Sequence, residues 1–122
     1  MSWLCDNYCK FIWKYGGENV ILVCQQDNWQ PHTMRKRPNG YHSYVMKMGF
    51  GSCEYKFIVD DEWCHHQSSK IIDNVYGTKN NIIRYPEDIN KYESFRTAST
   101  EDVWGGENVI LVCNKIIGNI IQ

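Results

Sequence analysis

Two tryptophans, a lysine and one polar turn are the groups in this chain that could do chemistry together. Trp29 ends the run Gln26-Asp27-Asn28-Trp29, just after the apolar segment Val20–Cys24. Lys56 and Trp63 both lie in EYKFIVDDEW, residues 54–63. Tyr76-Gly77-Thr78-Lys79-Asn80-Asn81 crowds side-chain donors and acceptors into a small turn. Indole rings bury flat C–H faces, while amide, hydroxyl and ammonium groups bind hydroxyls. A sugar offers both surfaces, a flat apolar face and a polar rim. None of these residues is a nucleophile beside a base, so the set suits binding and not turnover. The adjacent acids Asp60-Asp61 read as a turn and cannot flank a glycosidic bond at the separation glycosidases need. The competing account is structural. Tryptophans of β-domains mostly fill cores, and Asn-rich turns mostly satisfy their own backbone.

The elements that must hold these groups read as short strands. In EYKFIVD, Tyr55, Phe57 and Val59 fall on one side, and Glu54, Lys56, Ile58 and Asp60 on the other. The first set makes a core face and leaves Lys56 outside. Tyr8–Trp13, Val20–Cys24, Tyr41–Met48, Cys53–Asp60 and Asn81–Tyr85 read as strands, with turns at residues 15–19, at Pro38-Asn39-Gly40 and at Asp60-Asp61. Residues 65–79 read as an irregular loop. Strands at this spacing indicate an antiparallel β-sandwich over residues 1–86. After Pro86 the period changes. Ile89, Tyr92 and Phe95 recur at helical spacing behind the acids Glu87 and Asp88, which predicts a short amphipathic helix over 87–97. Residues 98–122 form a tail in which GGENVILVC, residues 16–24, recurs letter for letter at 105–113. That spare copy of a core strand could cap an edge, exchange with the original or pair with another molecule.

Composition narrows the partners. The 122 residues are one domain's worth, 43% hydrophobic and 14% aromatic, with a net charge of −1. So balanced a chain has no field to draw nucleic acid or an anionic membrane, and Arg35-Lys36-Arg37 is its one basic run. Asp6 and Lys10 interrupt the start where a secretory leader would be apolar, so the six cysteines are expected to be reduced thiols in the cytoplasm. Cys64-His65-His66 reads as a polar loop or strand end, with metal ligation the lesser alternative. No metal or cofactor is expected.

FIWKYGGENVILV, DNW, GYHSYVMKM, EYKFIVDDEW and YGTKNNIIRY together resemble the glycogen- and starch-binding modules of carbohydrate-binding module family 48. The similarity is greatest to the version in the β subunit of AMP-activated protein kinase, and it spans about Lys10 to Tyr85. The resemblance implies an all-β fold, an immunoglobulin-like early-set antiparallel β-sandwich, here with the short C-terminal helix added. It implies sugar contacts at Trp29, Lys56, Trp63, Tyr76, Thr78 and Asn80. The two tryptophans would stack on glucose rings, and Lys56, Thr78 and Asn80 would bind hydroxyls. Tyr76 stands where these β subunits usually carry leucine. The family's Gly-Ser-Phe-Asn before the first tryptophan is replaced by Cys24-Gln25-Gln26-Asp27, which removes an apolar anchor. Two functions from different classes follow. One is non-catalytic binding of an α-1,4-linked glucan as a targeting module. The other is a protein-interaction fragment that contacts a kinase catalytic subunit, with degenerate sugar binding.

Overall fold

A computed structural model of the chain describes residues 4–99 and 101–102. The repeat at 105–113, and with it most of the tail, lies outside the described residues. Among the described residues ten strands form: β1 Leu4–Trp13, β2 Val20–Cys24, β3 His32–Thr33, β4 Arg35–Lys36, β5 His42–Lys47, β6 Gly51–Val59, β7 Glu62–Cys64, β8 Ile71–Asp73, β9 Lys79–Tyr85 and β10 Phe95–Ser99. They make two antiparallel sheets. One has the order β10-β1-β5-β4; the other runs β3-β2-β6-β9-β8, with β7 paired to β6. The all-β sandwich expected from the strand spacing is the fold observed.

Alternation within β6 sets the inside and the outside. Cys53, Tyr55 and Phe57 are buried in the core with Phe11, Leu22 and Ile83. Phe11 meets Tyr55 edge-on at 5.0 Å, and Trp13 tilts against Phe57 at 4.9 Å. Each such ring contributes roughly 2–3 kcal/mol by leaving water, plus the ring–ring geometry. The residues between them, Glu54 and Lys56, necessarily face out on the other side of this sheet.

Two turns fix the register around β6. Asp60 and Asp61 both take positive φ, 48° and 70°, the two-residue turn whose twist matches antiparallel strands. The Asp60 carboxylate accepts backbone N–H groups from Asn19 at 2.8 Å and Glu18 at 3.1 Å, which holds its carboxyl below the usual carboxylate range. Gly17, at φ +96°, lies so close to β6 that a Cβ would sit 2.6 Å from Val59 Cγ1. That contact and the clamp explain the Gly-Gly-Glu-Asn spelling before β2.

The helix expected over 87–97 is not present. Residues 86–94 are turns broken by one isolated bridge from Tyr92 to Phe95, and Phe95–Ser99 is β10, paired antiparallel with β1. The sandwich therefore runs past the boundary expected at residue 86. Ile89, Tyr92 and Phe95 do reach the core, but from turns rather than from one helical face. Asn90 takes φ +63°, which breaks a helix, and its amide binds the Thr97 N–H and hydroxyl. A one-helix segment of eleven residues has little stability of its own, and the open edge of β1 offers a full ladder of hydrogen bonds instead. The loop expected at 65–79 likewise contains β8, the edge strand beside β9.

Of the Cys64-His65-His66 run, His66 is fully buried against Trp13, Tyr15 and Phe57. Its Nδ1 accepts the Ser68 N–H at 3.3 Å, and its Nε2 has no hydrogen-bond partner among the described residues. Burial pushes its pKa down to about 4, with Lys14 adding to the shift and Glu93 opposing it. The unfolded chain takes up this proton near pH 6.5, whereas the folded chain does not until about pH 4. Stability contributed by the neutral imidazole is thus complete above pH 6.5 and is lost as the pH falls toward 4. Unfolding free energy at pH 5 should be about 2 kcal/mol lower than at pH 7. Urea unfolding at the two pH values checks this; equal midpoints would contradict it.

Candidate functional site

The outer face of the six-stranded sheet carries an open cleft of about 740 Å³. Trp29, Lys56, Trp63, Tyr76, Thr78 and Asn80 all line it, so the six residues singled out from sequence come together on one surface. Glu54, Asp73, Asn74 and Val75 line it as well.

Each wall has a local cause. Trp63 stands on β7 opposite Ile58, one step past the Asp60-Asp61 turn, and its side faces out with 63% exposure. Trp29 follows a short 3-10 turn at Gln25–Asp27. The Asn28 N–H donates to the Gln25 carbonyl at 3.2 Å and the Trp29 N–H to the Cys24 carbonyl at 2.9 Å. This paired closure ends a helical turn and demands a left-handed residue, which Asn28 supplies at φ 62°. Trp29 itself also takes φ 61°, strained for an aromatic residue, and remains 39% exposed. Where the resembled family has an apolar anchor, a polar one operates here. The Gln26 amide donates to the Lys47 carbonyl and accepts the Gly49 N–H, and Gln25 accepts the Glu54 N–H.

The polar floor is one connected network. Lys56 Nζ donates to Thr78 Oγ1 at 3.3 Å and lies 5.9 Å from the Trp63 ring centroid. Sequence alternation put Lys56 outside; it is on the outer face, yet the loop and the indole cover it to 9% exposure. Asn74 is the hub of the loop. Its Oδ1 accepts the N–H groups of Tyr76 at 2.9 Å and Thr78 at 3.0 Å. Its Nδ2 donates to Thr78 Oγ1 at 2.7 Å and Asn80 Oδ1 at 3.1 Å. Asn80 Nδ2 then donates to Glu54 Oε1 at 3.0 Å. Tyr76 is carried at the loop tip, 87% exposed.

Sequence reasoning missed Asn74 and Glu54. The signal for Asn74 was an Asx turn, an asparagine two residues before a backbone N–H it can cap. Glu54 gave no signal beyond its outward place in β6. Neighbouring Asn81 does the opposite work to Asn80: fully buried, it accepts the His66 N–H at 2.6 Å and donates to the His66 carbonyl at 2.8 Å. No group of three His, Cys, Asp or Glu side chains among the described residues could hold a metal ion. Chemically, the cleft offers two indole faces, a free tyrosine ring and a row of hydroxyl-binding groups.

A family model described as the glycogen recognition site of AMP-activated protein kinase matches residues 7–91. Subunit beta-1 of 5'-AMP-activated protein kinase from Sus scrofa is 32% identical over 74 residues, covering 61% of this chain and 60% of that relative. The same subunit from Rattus norvegicus is 34% identical over 74 residues, covering 27% of its length. The match thus spans less than two thirds of either relative. Apo pullulanase from Paenibacillus barengoltzii aligns with 74% of this chain and 15% of its own at a TM-score of 0.45 and 15% identity.

Proposed function

This chain belongs to the family described as the glycogen recognition site of AMP-activated protein kinase, and from that premise we propose that it binds α-1,4-linked glucan, glycogen or a starch-like chain, without catalysing a reaction on it. The carrying observation is the convergence of Trp29, Lys56, Trp63, Tyr76, Thr78 and Asn80 on one open cleft with two exposed indoles. Trp29 and Trp63 are the stacking platforms. Lys56, Thr78 and Asn80 bind hydroxyls, and Tyr76 supplies a third ring from the loop tip. Few atoms in so open a cleft are fully desolvated, so affinity falls in the micromolar to millimolar range. The module places itself, or a partner, on the polysaccharide. A cytoplasmic setting is part of this proposal.

Titrating β-cyclodextrin while following tryptophan fluorescence tests the proposal directly. Saturable quenching or enhancement in that affinity range is the expected result, and a flat titration would overturn it. A second function is favoured by the similarity to kinase subunits together with the altered residues at 24–27 and 76. In it the chain contacts a kinase catalytic subunit and its sugar site is degenerate. Capture of that subunit combined with a flat cyclodextrin titration would select this alternative.

A further inference from the structure

The network across the cleft floor leaves its members with a fixed hydrogen-bonding sense. Thr78 Oγ1 receives two donors, Lys56 Nζ at 3.3 Å and Asn74 Nδ2 at 2.7 Å. Its two lone pairs are then used, and its own proton has to seek an acceptor. Asn80 Oδ1 accepts from Asn74, and one of its N–H groups donates to Glu54. What Asn80 has left to offer includes a second N–H. Lys56 has only N–H groups to give. Asp73, the other acid of the cleft, is tied to Lys79 at 2.6 Å. Thus the side chains around Glu54 are donors with spare protons.

Glu54 is the counterpart. Its Oε1 accepts from Asn80, and no cation among the described residues lies within ion-pair distance of its carboxylate. A carboxylate has about four lone-pair sites, and Asn80 occupies one of them. Gln25 holds the Glu54 backbone N–H at 3.2 Å, which fixes where the side chain starts. Building on glucan binding itself, we propose that Glu54 is a ligand-contacting, specificity-determining residue that accepts a hydrogen bond from a sugar hydroxyl. The ligand class it selects is a ring with a free vicinal diol. One hydroxyl donates to Glu54, and the oxygen beside it accepts from Asn80 or Lys56. Neither group alone tests for adjacent hydroxyls; the acceptor and donor side by side do.

The test is a double cycle. The full chain and its Glu54→Gln variant are each titrated with β-cyclodextrin and with β-cyclodextrin methylated at every 2- and 3-hydroxyl, with tryptophan fluorescence as the readout. Glutamine still accepts from Asn80, but it loses the charge and places a donor where an acceptor stood. The variant should bind plain β-cyclodextrin about five- to twentyfold more weakly. The factor that methylation costs the parent should shrink by a similar amount in the variant. A residue that merely supports Asn80 would weaken both ligands equally and leave the methylation factor unchanged; that outcome overturns the assignment, as does a variant that binds like the parent. A parent that fails to bind plain β-cyclodextrin overturns glucan binding, and this assignment with it. Urea unfolding midpoints of parent and variant, expected to coincide, exclude a folding defect as the cause.

Discussion

Trp63→Ala abolishes co-sedimentation with glycogen and leaves the fold standing; Trp29→Ala does the same. That is the expected result, and its size follows from how little else these rings do. Trp63 stands 63% exposed on a three-residue strand, and neither indole belongs to the core cluster that joins the sheets. Surface truncations of this kind change stability by only a few tenths of a kcal/mol. In the bound state, however, each ring supplies the apolar face for a glucose unit, roughly 1–2 kcal/mol that polar contacts cannot replace. Starting from an affinity no tighter than micromolar, a loss of about five- to thirtyfold takes binding below what pelleting detects. Both variants pelleting like the parent, with unchanged unfolding midpoints, would show that the rings are not the platform.

Phe57→Ala has the opposite phenotype one residue from Lys56. Phe57 is completely buried, against Trp13 at 4.9 Å, Tyr55 at 5.9 Å and His66 at 6.4 Å. Removing the ring forfeits its transfer energy and leaves a cavity between the sheets, a loss of about 3–5 kcal/mol. Small domains hold about 5–15 kcal/mol in total, so the variant should be marginal. Urea unfolding gives the measure, and a midpoint equal to the parent's would contradict the core placement. What protein remains folded should still bind glucan, because Phe57 points away from the cleft. Two adjacent positions of one strand thus separate stability from recognition.

That separation was legible in the sequence, since alternation in EYKFIV needs no tertiary information. Val20–Cys24 was legible instead as an unbroken apolar run, Tyr41–Met48 as the segment behind the Pro38-Asn39-Gly40 turn, and the two-aspartate turn through its chemistry. Residues 87–97 were misread because a local period of 3.6 competed with an edge of β1 that exists only once the sandwich has formed. β8 was missed because Ile71–Asp73 is a short, exposed edge strand with no buried face to alternate. Within the cleft, the aromatic rings and Asn80 were identified from residue type and resemblance. Glu54 and Asn74 were not, because their roles arise from a chain of hydrogen bonds linking β6, β9 and the loop after β8. Such a chain depends on which side chains meet across strands, and no spacing along one strand encodes it.

The left-handed backbone at Trp29 has a consequence for evolution and engineering alike. Glycine would rest comfortably there, and ordinary selection for a sturdier fold would drift toward it. If Trp29 is the glucose platform proposed above, keeping a large ring at that angle means the molecule tolerates a permanent local weakness so that the ring is already aimed before any ligand arrives. On that proposal, thermostability screens run without glucan would favour loss of the very side chain that binds it.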